Sequence, residues 1–372
     1  MIVGIPKEVP LGRGMEERRV GLSPAGVAEL VEQGAKVWVE REAGAGAHFS
    51  NTAYERAGAQ IVLSHEEVFR RADLICKVGR VSDEEASFLK DGQILAGFLH
   101  LITTSKLLLK NLLDKKITSI AYELIEERDG RLPVLNPTSE IAGKMVPQLA
   151  GRLLERGRGT LLGGIPGIPP ADVVILGGGT LGYHAARALR GVGATVYILE
   201  KRPRRLAELD KYFNGGVVTA LATRANIEKY VRFADVMVGA VLESGARAPI
   251  LVTREMVRSM EPGSVILDFS IDHGGCVETS RLTPSEDHVY LEEGVWHFCV
   301  PNASSLVART ATHALTNAAL PYLKSMVIHG LAESLRAMPD LAHGACTHAG
   351  VVTQTHLARE HAFEYHALEG LL

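Results

Sequence analysis

The sequence predicts an α/β fold, with two Rossmann-like domains built on parallel sheets. Three observations lead there. The chain has 372 residues, enough for two or three domains. Short apolar runs alternate with helical patterns, the sign of parallel strands covered by helices. One stretch, VVILGGGTLGYHAARALRGVGATVYILE over 173–200, joins strand, glycine-rich turn, helix and second strand without a break.

The first third alternates strand and helix from its start. Met1–Ile5 is an apolar run. Ser23 and Pro24 then open a helix as N-cap and first residue, and Gly34 closes it. Lys36–Glu40 is expected as a strand, Ala53–Gly58 as helical, and Ile61 with Val62 as extended. Asp73–Val78 is read as a strand, and Ser82 with Glu85 forms a capping box for a short helix that ends before Gly92. A strand over Gln93–His100, a helix over Lys106–Asp114 and a strand over Ile117–Leu124 follow. Residues 126–137 are expected to form a linker, after which a helix runs from about Ser139 to Arg156.

The second unit begins with the glycine turn. Gly177, Gly179 and Gly182 stand in the G-x-G-x-x-G spacing. The first allows a tight turn, the second lets a pyrophosphate approach the backbone, and the third lets helix and strand pack closely. The helix N-terminus faces the phosphate charge. Glu200 ends the second strand, where a carboxylate can accept hydrogen bonds from ribose hydroxyls. Further strands are expected near 217–222, 235–241, 264–272 and 295–300. Beyond Arg309 the chain reads as helical, with Pro321 expected to kink or interrupt it, and the last segment reads as loop then short helix. The expected domains are 1–133 plus 309–372, and 134–308.

Composition narrows the function classes. A net charge of −3 points to neither nucleic acid nor an anionic membrane as partner. The start lacks the layout of a signal peptide, and no uncharged apolar run is long enough to span a bilayer. Cys76, Cys276, Cys299 and Cys346 are scattered without C-x-x-C spacing, so no metal site or disulfide framework is expected. These features fit a cytoplasmic enzyme with reduced cysteines.

In open parallel sheets ligands lie beyond the carboxyl ends of the strands. The polar residues there are Lys77, His100, Glu200 and Asp272, with Arg19 in the loop after the first strand. From the residues alone each also has a structural reading. Arg19 could be a solvated charge, Lys77 a cation reaching water, His100 a hydrogen-bonded core histidine and Asp272 a turn residue.

Strings along the whole chain settle the preference. VGIPKE, ERRVGLSPAGVAEL, ADLICKV, FLHL, PTSEIAG, GGIPGIPPADVVILGGGTLG, GAVLESGARAPILVTREMVRSMEPGSVILDFSIDHGGC and RTATHALTNAALPY resemble the alanine dehydrogenase and pyridine-nucleotide transhydrogenase family. Length and closing segment resemble its alanine dehydrogenase branch more than a transhydrogenase subunit. The resemblance implies an active site in the cleft between two domains and reversible, NAD-linked oxidative deamination of L-alanine to pyruvate and ammonium. It implies Arg19 and Lys77 as substrate ligands and His100 and Asp272 as the catalytic pair. It implies Ser139, Glu200, Arg205 and Asn302, with the glycines, as cofactor contacts, and a homo-oligomer, often a hexamer. Glu200 stands where the family usually has Asp.

Chemistry agrees with those roles. Arg is the planar donor fork suited to a substrate carboxylate. Lys77 can polarise a carbonyl and stabilise a developing alkoxide. Histidine's ordinary pKa of about 6.5 suits a base that handles water near neutral pH. Asp272 could hold the amine, orient water or tune the imidazole. Four departures border the pockets: Phe98 where the family often has Tyr, Val78-Gly79-Arg80-Val81 after the strand-end Lys, His273 in the Asp-x-Gly-Gly string, and Ala303-Ser304 after Asn302. A relative acting on another amino acid, 2-oxo acid or imine, or a catalytically weak NAD-binding protein, are the alternative readings. Lys201, Arg202, Arg204 and Arg205 follow Glu200 and keep NADP open beside NAD.

Overall fold

A computed structural model describes residues 1–10, 16–283 and 289–372. The chain forms two compact units. The first comprises Met1–Thr138, Ser244–Ala246 and Ser304–Leu372, and the second Ser139–Glu243 and Arg247–Ala303. The first holds strands β1 (Ile2–Ile5), β2 (Lys36–Glu40), β3 (Gln60–Val62), β4 (Leu74–Cys76), β5 (Ile94–Gly97) and β6 (Thr118–Ala121). In the second lie β7 (Asp172–Leu176), β8 (Thr195–Glu200), β9 (Val218–Leu221), β10 (Val236–Gly239), β11 (Val265–Asp268), β12 (Tyr290–Glu292) and β13 (Val295–Phe298). The chain then returns to the first unit with β14 (Ala345–His348) and β15 (Val351–Val352).

The first sheet has the order β15-β14-β6-β5-β4-β1-β2-β3, the second β12-β13-β11-β10-β7-β8-β9. In each, six strands are parallel, and the first strand lies between the second and the fourth. That neighbour pair, β1/β4 or β7/β10, is the point where strand order reverses and where such sheets open a crevice at their carboxyl ends. Both faces of the first sheet are buried. Leu74 and Cys76 pack into a core shared with helices Pro24–Glu32 and Ala308–His329, while Ile75 between them joins the opposite core with Val68, Phe69 and Leu108. This period-two alternation between two buried faces explains the continuous apolar runs.

Several sequence expectations need correction. The segment 345–352, read as loop, is an antiparallel hairpin whose two turn residues, Ala349 and Gly350, both have positive φ. β12 and β13 form a second such hairpin through Glu293 and Gly294. Both have the backbone of a type I′ turn, but neither has the Asn-Gly or Asp-Gly that advertises one. Pro321 does not break its helix, which runs from Ala308 to His329 with Leu315, Ala319, Tyr322, Leu323 and Met326 buried. Packing of that face outweighs one lost backbone hydrogen bond. The expected 126–137 linker is cut short because the next helix begins at Leu135, with Pro137 in its first turn, where a missing N–H costs nothing. Unit boundaries fall at 138/139 and 303/304, five residues from the expected ones on each side.

Candidate active site

In the first unit the loop after β1 and the ends of β4 and β5 carry the charged groups. Arg19 is 2% exposed, so it is no solvated surface charge. Its Nε and one terminal nitrogen donate to Glu17 at 2.8 and 2.7 Å, and the other terminal nitrogen donates to Ser304 Oγ at 3.0 Å. Burial pushes the Glu17 carboxyl up, but Arg19 outweighs it and holds it below the usual carboxylate range. Lys77, the residue after β4, does not reach water either: its side chain is fully buried. Its Nζ lies 2.5 Å from Glu85 Oε1 and 3.3 Å from Glu8 Oε2. Glu8 also accepts the Val78 N–H at 2.6 Å, which ties the loop after β1 to the end of β4. The carboxyl of Glu8 is raised by burial, against the pull of Lys77, and Glu17 adds to the rise, so the Lys77 and Arg19 clusters feel each other.

β5 stops at Gly97, three residues short of its expected end, and His100 lies beyond it in the left-handed backbone region, with φ 42°. One buried carboxylate explains the break. Glu123 accepts the N–H of Leu99 at 3.2 Å and that of His100 at 2.6 Å. These amides point off the ladder and set the ring's direction. Nδ1 of His100 faces Glu123 at 3.9 Å. Phe98 stacks on the imidazole with ring planes 16° apart and meets Tyr122 edge-on. At that position, where the family often has a hydroxyl, this chain presents a hydrocarbon face.

In the second unit β7 runs straight into the glycine turn. A Cβ at Gly182 would stand 1.9 Å from the carbonyl oxygen of Gly177, so helix Thr180–Gly191 can approach only as glycine. At Gly179, the N-cap, an added Cβ meets nothing within 4 Å. The helix start therefore opens onto a cradle that no protein atom fills, which fits a pyrophosphate. Glu200 is buried at the end of β8 and accepts the Gly178 N–H at 2.9 Å and the Arg202 N–H at 3.0 Å, with the Arg202 side chain beside it. Burial raises this carboxyl, but the bonds from Arg202 and Gly178 hold it below the usual range. Arg205 donates from Nε to the Gly178 carbonyl at 2.7 Å, so it braces the turn.

Asp272 is not at a strand end. β11 stops at Asp268, whose buried carboxylate takes the N–H groups of Ser270 and Cys276 and so turns the chain. Asp272 sits in the short turn Ile271–His273 that follows and accepts the Asn302 N–H at 3.3 Å. The structure thus brings Asp272 and Asn302 together, as it does Glu200 with Arg205 around Gly178. Ser139 is the fifth residue of its helix rather than a cap, and is half-buried. His273 is buried, and its carbonyl accepts the Ala248 N–H at 2.9 Å.

Sequence reasoning missed Glu8, Glu17 and Glu123. Glu8 and Glu17 had a signal, their places in VGIPKE and ERRVGLSPAGVAEL; an isolated Glu at 123 carries none. Among the described residues no group of His, Cys, Asp and Glu could hold a metal, and no helix is long and apolar enough to cross a membrane.

Comparison with known proteins places the chain. Residues 4–142 match the alanine dehydrogenase/PNT N-terminal domain, and residues 148–355 the C-terminal domain of the same family. The chain is 45% identical to the alanine dehydrogenase of Methanococcus maripaludis and 43% to that of Staphylococcus haemolyticus, covering all of this chain and 100% and 99% of those proteins. A solved L-alanine dehydrogenase superposes with a TM-score of 0.87 at 40% identity, over 97% of this chain and 99% of that one. With both domains matched and relatives aligned end to end, the chain belongs to the alanine dehydrogenase/pyridine nucleotide transhydrogenase family.

Proposed function

We propose that this chain catalyses the reversible, NAD-dependent oxidative deamination of L-alanine: alanine, NAD⁺ and water give pyruvate, ammonium, NADH and a proton. The observation that carries this reading is the pair of buried cations, Arg19 and Lys77, at the crevice end of the first sheet. A small 2-oxo or 2-amino acid offers one carboxylate and one oxygen or nitrogen, and two fixed cations match them.

Under this reading Arg19 grips the carboxylate, which takes the place that Glu17 holds in the structure. Lys77 stabilises negative charge on the oxygen at C2 as water adds and the amine departs. His100 moves the proton of that water. Nδ1 is turned toward Glu123, so we assign the transfer to Nε2. Asp272, steadied by Asn302, holds the substrate nitrogen as a cation.

The cofactor belongs on the second unit, against Gly177, Gly179 and Gly182, with Glu200 at the ribose and Ser139, Arg205 and Asn302 near it. NAD supplies the hydride acceptor when bound. Preference for NAD over NADP is supported by how the nearby cations are spent. Lys201 pairs with Glu243, Arg202 with Glu200, and Arg204 and Arg205 with Glu208. A 2′-phosphate would meet the Glu200 carboxylate and find each of these cations with a carboxylate already beside it. The reading includes a cytoplasmic homo-oligomer, a hexamer by family resemblance, testable by light scattering.

The test follows absorbance at 340 nm with NADH or NADPH, ammonium and a panel of 2-oxo acids. Pyruvate with NADH should turn over fastest. No turnover with pyruvate, ammonium and NADH would defeat the reading, and faster turnover of another oxo acid would move the substrate.

A further inference from the structure

Lys77 stands at one end of a buried row of charged groups that reaches the surface of the first unit. Glu85 Oε1, 2.5 Å from Lys77 Nζ, also lies 3.2 Å from His65 Nε2. The other ring nitrogen, Nδ1, lies 2.6 Å from Glu40 Oε2, which in turn accepts the Lys7 N–H at 2.7 Å. The row is therefore Lys77, Glu85, His65 and Glu40, and the last two are partly exposed. A neutral imidazole has one N–H and can donate to one carboxylate only; an imidazolium donates to both. The two contacts of His65 are those of the cation. Its ring is set by Phe69, at 5.1 Å between centroids, and by Phe88 edge-on.

Glu85 is held with equal care. It is 1% exposed and is the third helical residue of a capping box. Oε2 accepts the Ser82 N–H at 2.7 Å, while Oε1 is turned to Lys77 and His65. One oxygen thus serves the helix and the other the lysine. A capping box alone works at the surface; burying it against a lysine gains nothing for the helix.

We propose that Glu85, clamped by His65, is the positioning residue that fixes the ε-ammonium of Lys77 and keeps it protonated during turnover. The inference rests on the reading of Lys77 as a substrate ligand. The groups that face Lys77 and its partners are Glu8 from the loop after β1, with Glu17 and Arg19 beyond it, Glu85 from helix Asp83–Phe88, His65 from helix His65–Arg71, Glu40 from β2, and the neighbouring thiol of Cys76. Among the described residues, the carboxyl groups of Glu8 and Glu85 contact the ammonium. Their attraction overcomes burial, which alone would favour the neutral amine, and holds the Lys77 pKa above its ordinary value. Loss of one carboxylate removes a large part of that hold.

Glu85→Gln tests this directly. Glutamine keeps the capping box, since its side-chain oxygen still accepts the Ser82 N–H, and removes only the charge. We expect kcat/KM for pyruvate to fall about tenfold or more near pH 8, with the alkaline limb of its pH profile moved down by about one unit or more. The dissociation constant of NADH should stay unchanged, because the charge lost lies in the other unit. His65→Gln, which donates to either carboxylate but not as a cation, should give a smaller loss of the same sign. Glu85→Asp keeps the charge but draws it back, so KM for pyruvate should rise while the alkaline limb stays; it also serves if the Gln variant does not fold. An alkaline limb unmoved in Glu85→Gln, or an unchanged KM in Glu85→Asp, overturns the proposal. Lys77→Met separates this from the reading beneath it. If that variant retains pyruvate turnover, the substrate role of Lys77 falls; if it is inactive while the Glu85 variants behave as wild type, only the positioning role falls.

Discussion

The two units share one strand order and treat its reversal point in opposite ways. In the second, β7 ends at Leu176 and a helix begins at Thr180, so bare backbone and a helix start fill the crevice end. In the first, β1 ends at Ile5 and the next helix among the described residues begins at Pro24. The longer connection, of which residues 11–15 lie outside the described ones, replaces the glycine turn with side chains: Glu8, which contacts Lys77 just after β4, and the Glu17–Arg19 pair. Backbone amides at a helix start suit a diffuse pyrophosphate charge. Buried side-chain ions suit a small acid whose charges sit at fixed points. Under the proposed function one topology therefore serves two kinds of ligand, and the length of a single connection distinguishes them.

Lys77→Met should produce the largest effect and should confine it to the first unit. Pyruvate turnover should fall by about a thousandfold or more, as when a stabilising donor is deleted from an oxyanion site. Glu8 and Glu85 would lose their cation while buried, at a cost of about 3–5 kcal/mol in urea unfolding. If NADH affinity fell equally, the two units would not be as separable as described.

The glycine turn can be broken in two distinct ways. Gly182→Ala places a methyl against the Gly177 carbonyl, so NADH affinity should drop about a hundredfold together with Tm. Gly179→Ala meets no protein atom, so stability should hold within about 0.5 kcal/mol while NADH affinity falls about tenfold. Fluorescence titration with NADH beside a thermal melt distinguishes them. Equal melting losses in both would mean that Gly179 is structural.

Arg19→Lys asks whether the first unit needs a planar fork or only a charge. KM for pyruvate should rise about 10- to 100-fold, with NADH binding unchanged, because an ammonium cannot reproduce the bidentate geometry. The smallest effect is one of pH. The carboxylates of Glu40 and Glu85 raise the His65 pKa to about 9 despite burial, which acts the other way. Its folded value lies above the unfolded value of about 6.5, so the stabilisation is complete below the latter and is lost as pH rises through about 9. Urea midpoints should fall over that interval in wild type, and the slope should flatten in His65→Gln.

Much of the fold was legible because α/β alternation leaves strong local marks. Helix Lys106–Asp114 and strand Lys36–Glu40 stand where periodicity puts them, and Ser23 and Ser82 cap the helices that follow them. What escaped depends on groups distant in sequence. β5 and β11 end early because Glu123 and Asp268 take the amides that would continue the strand, and no local pattern announces that. The edge hairpins escaped because Ala-Gly and Glu-Gly adopt turns usually reserved for Asn or Asp before Gly. Within the candidate site, the type of each residue was readable and its partner was not. Arg19 and Lys77 were readable as substrate ligands with a solvated charge as the structural alternative; their burial against Glu17, Glu8 and Glu85, which makes them fixed charges, was not.

The backbone at His100 changes how its mutants must be judged. The residue holds φ 42° and ψ 45° with its amide on Glu123. A side chain forced to stay there pays about 1–2 kcal/mol unless it belongs to the few types that tolerate the left-handed region. Alanine at this position therefore removes an imidazole and strains a left-handed backbone at once, and its rate loss mixes chemistry with distortion. Asparagine accepts the same dihedrals and cannot titrate. Any difference between the two variants measures what the twist itself contributes to turnover.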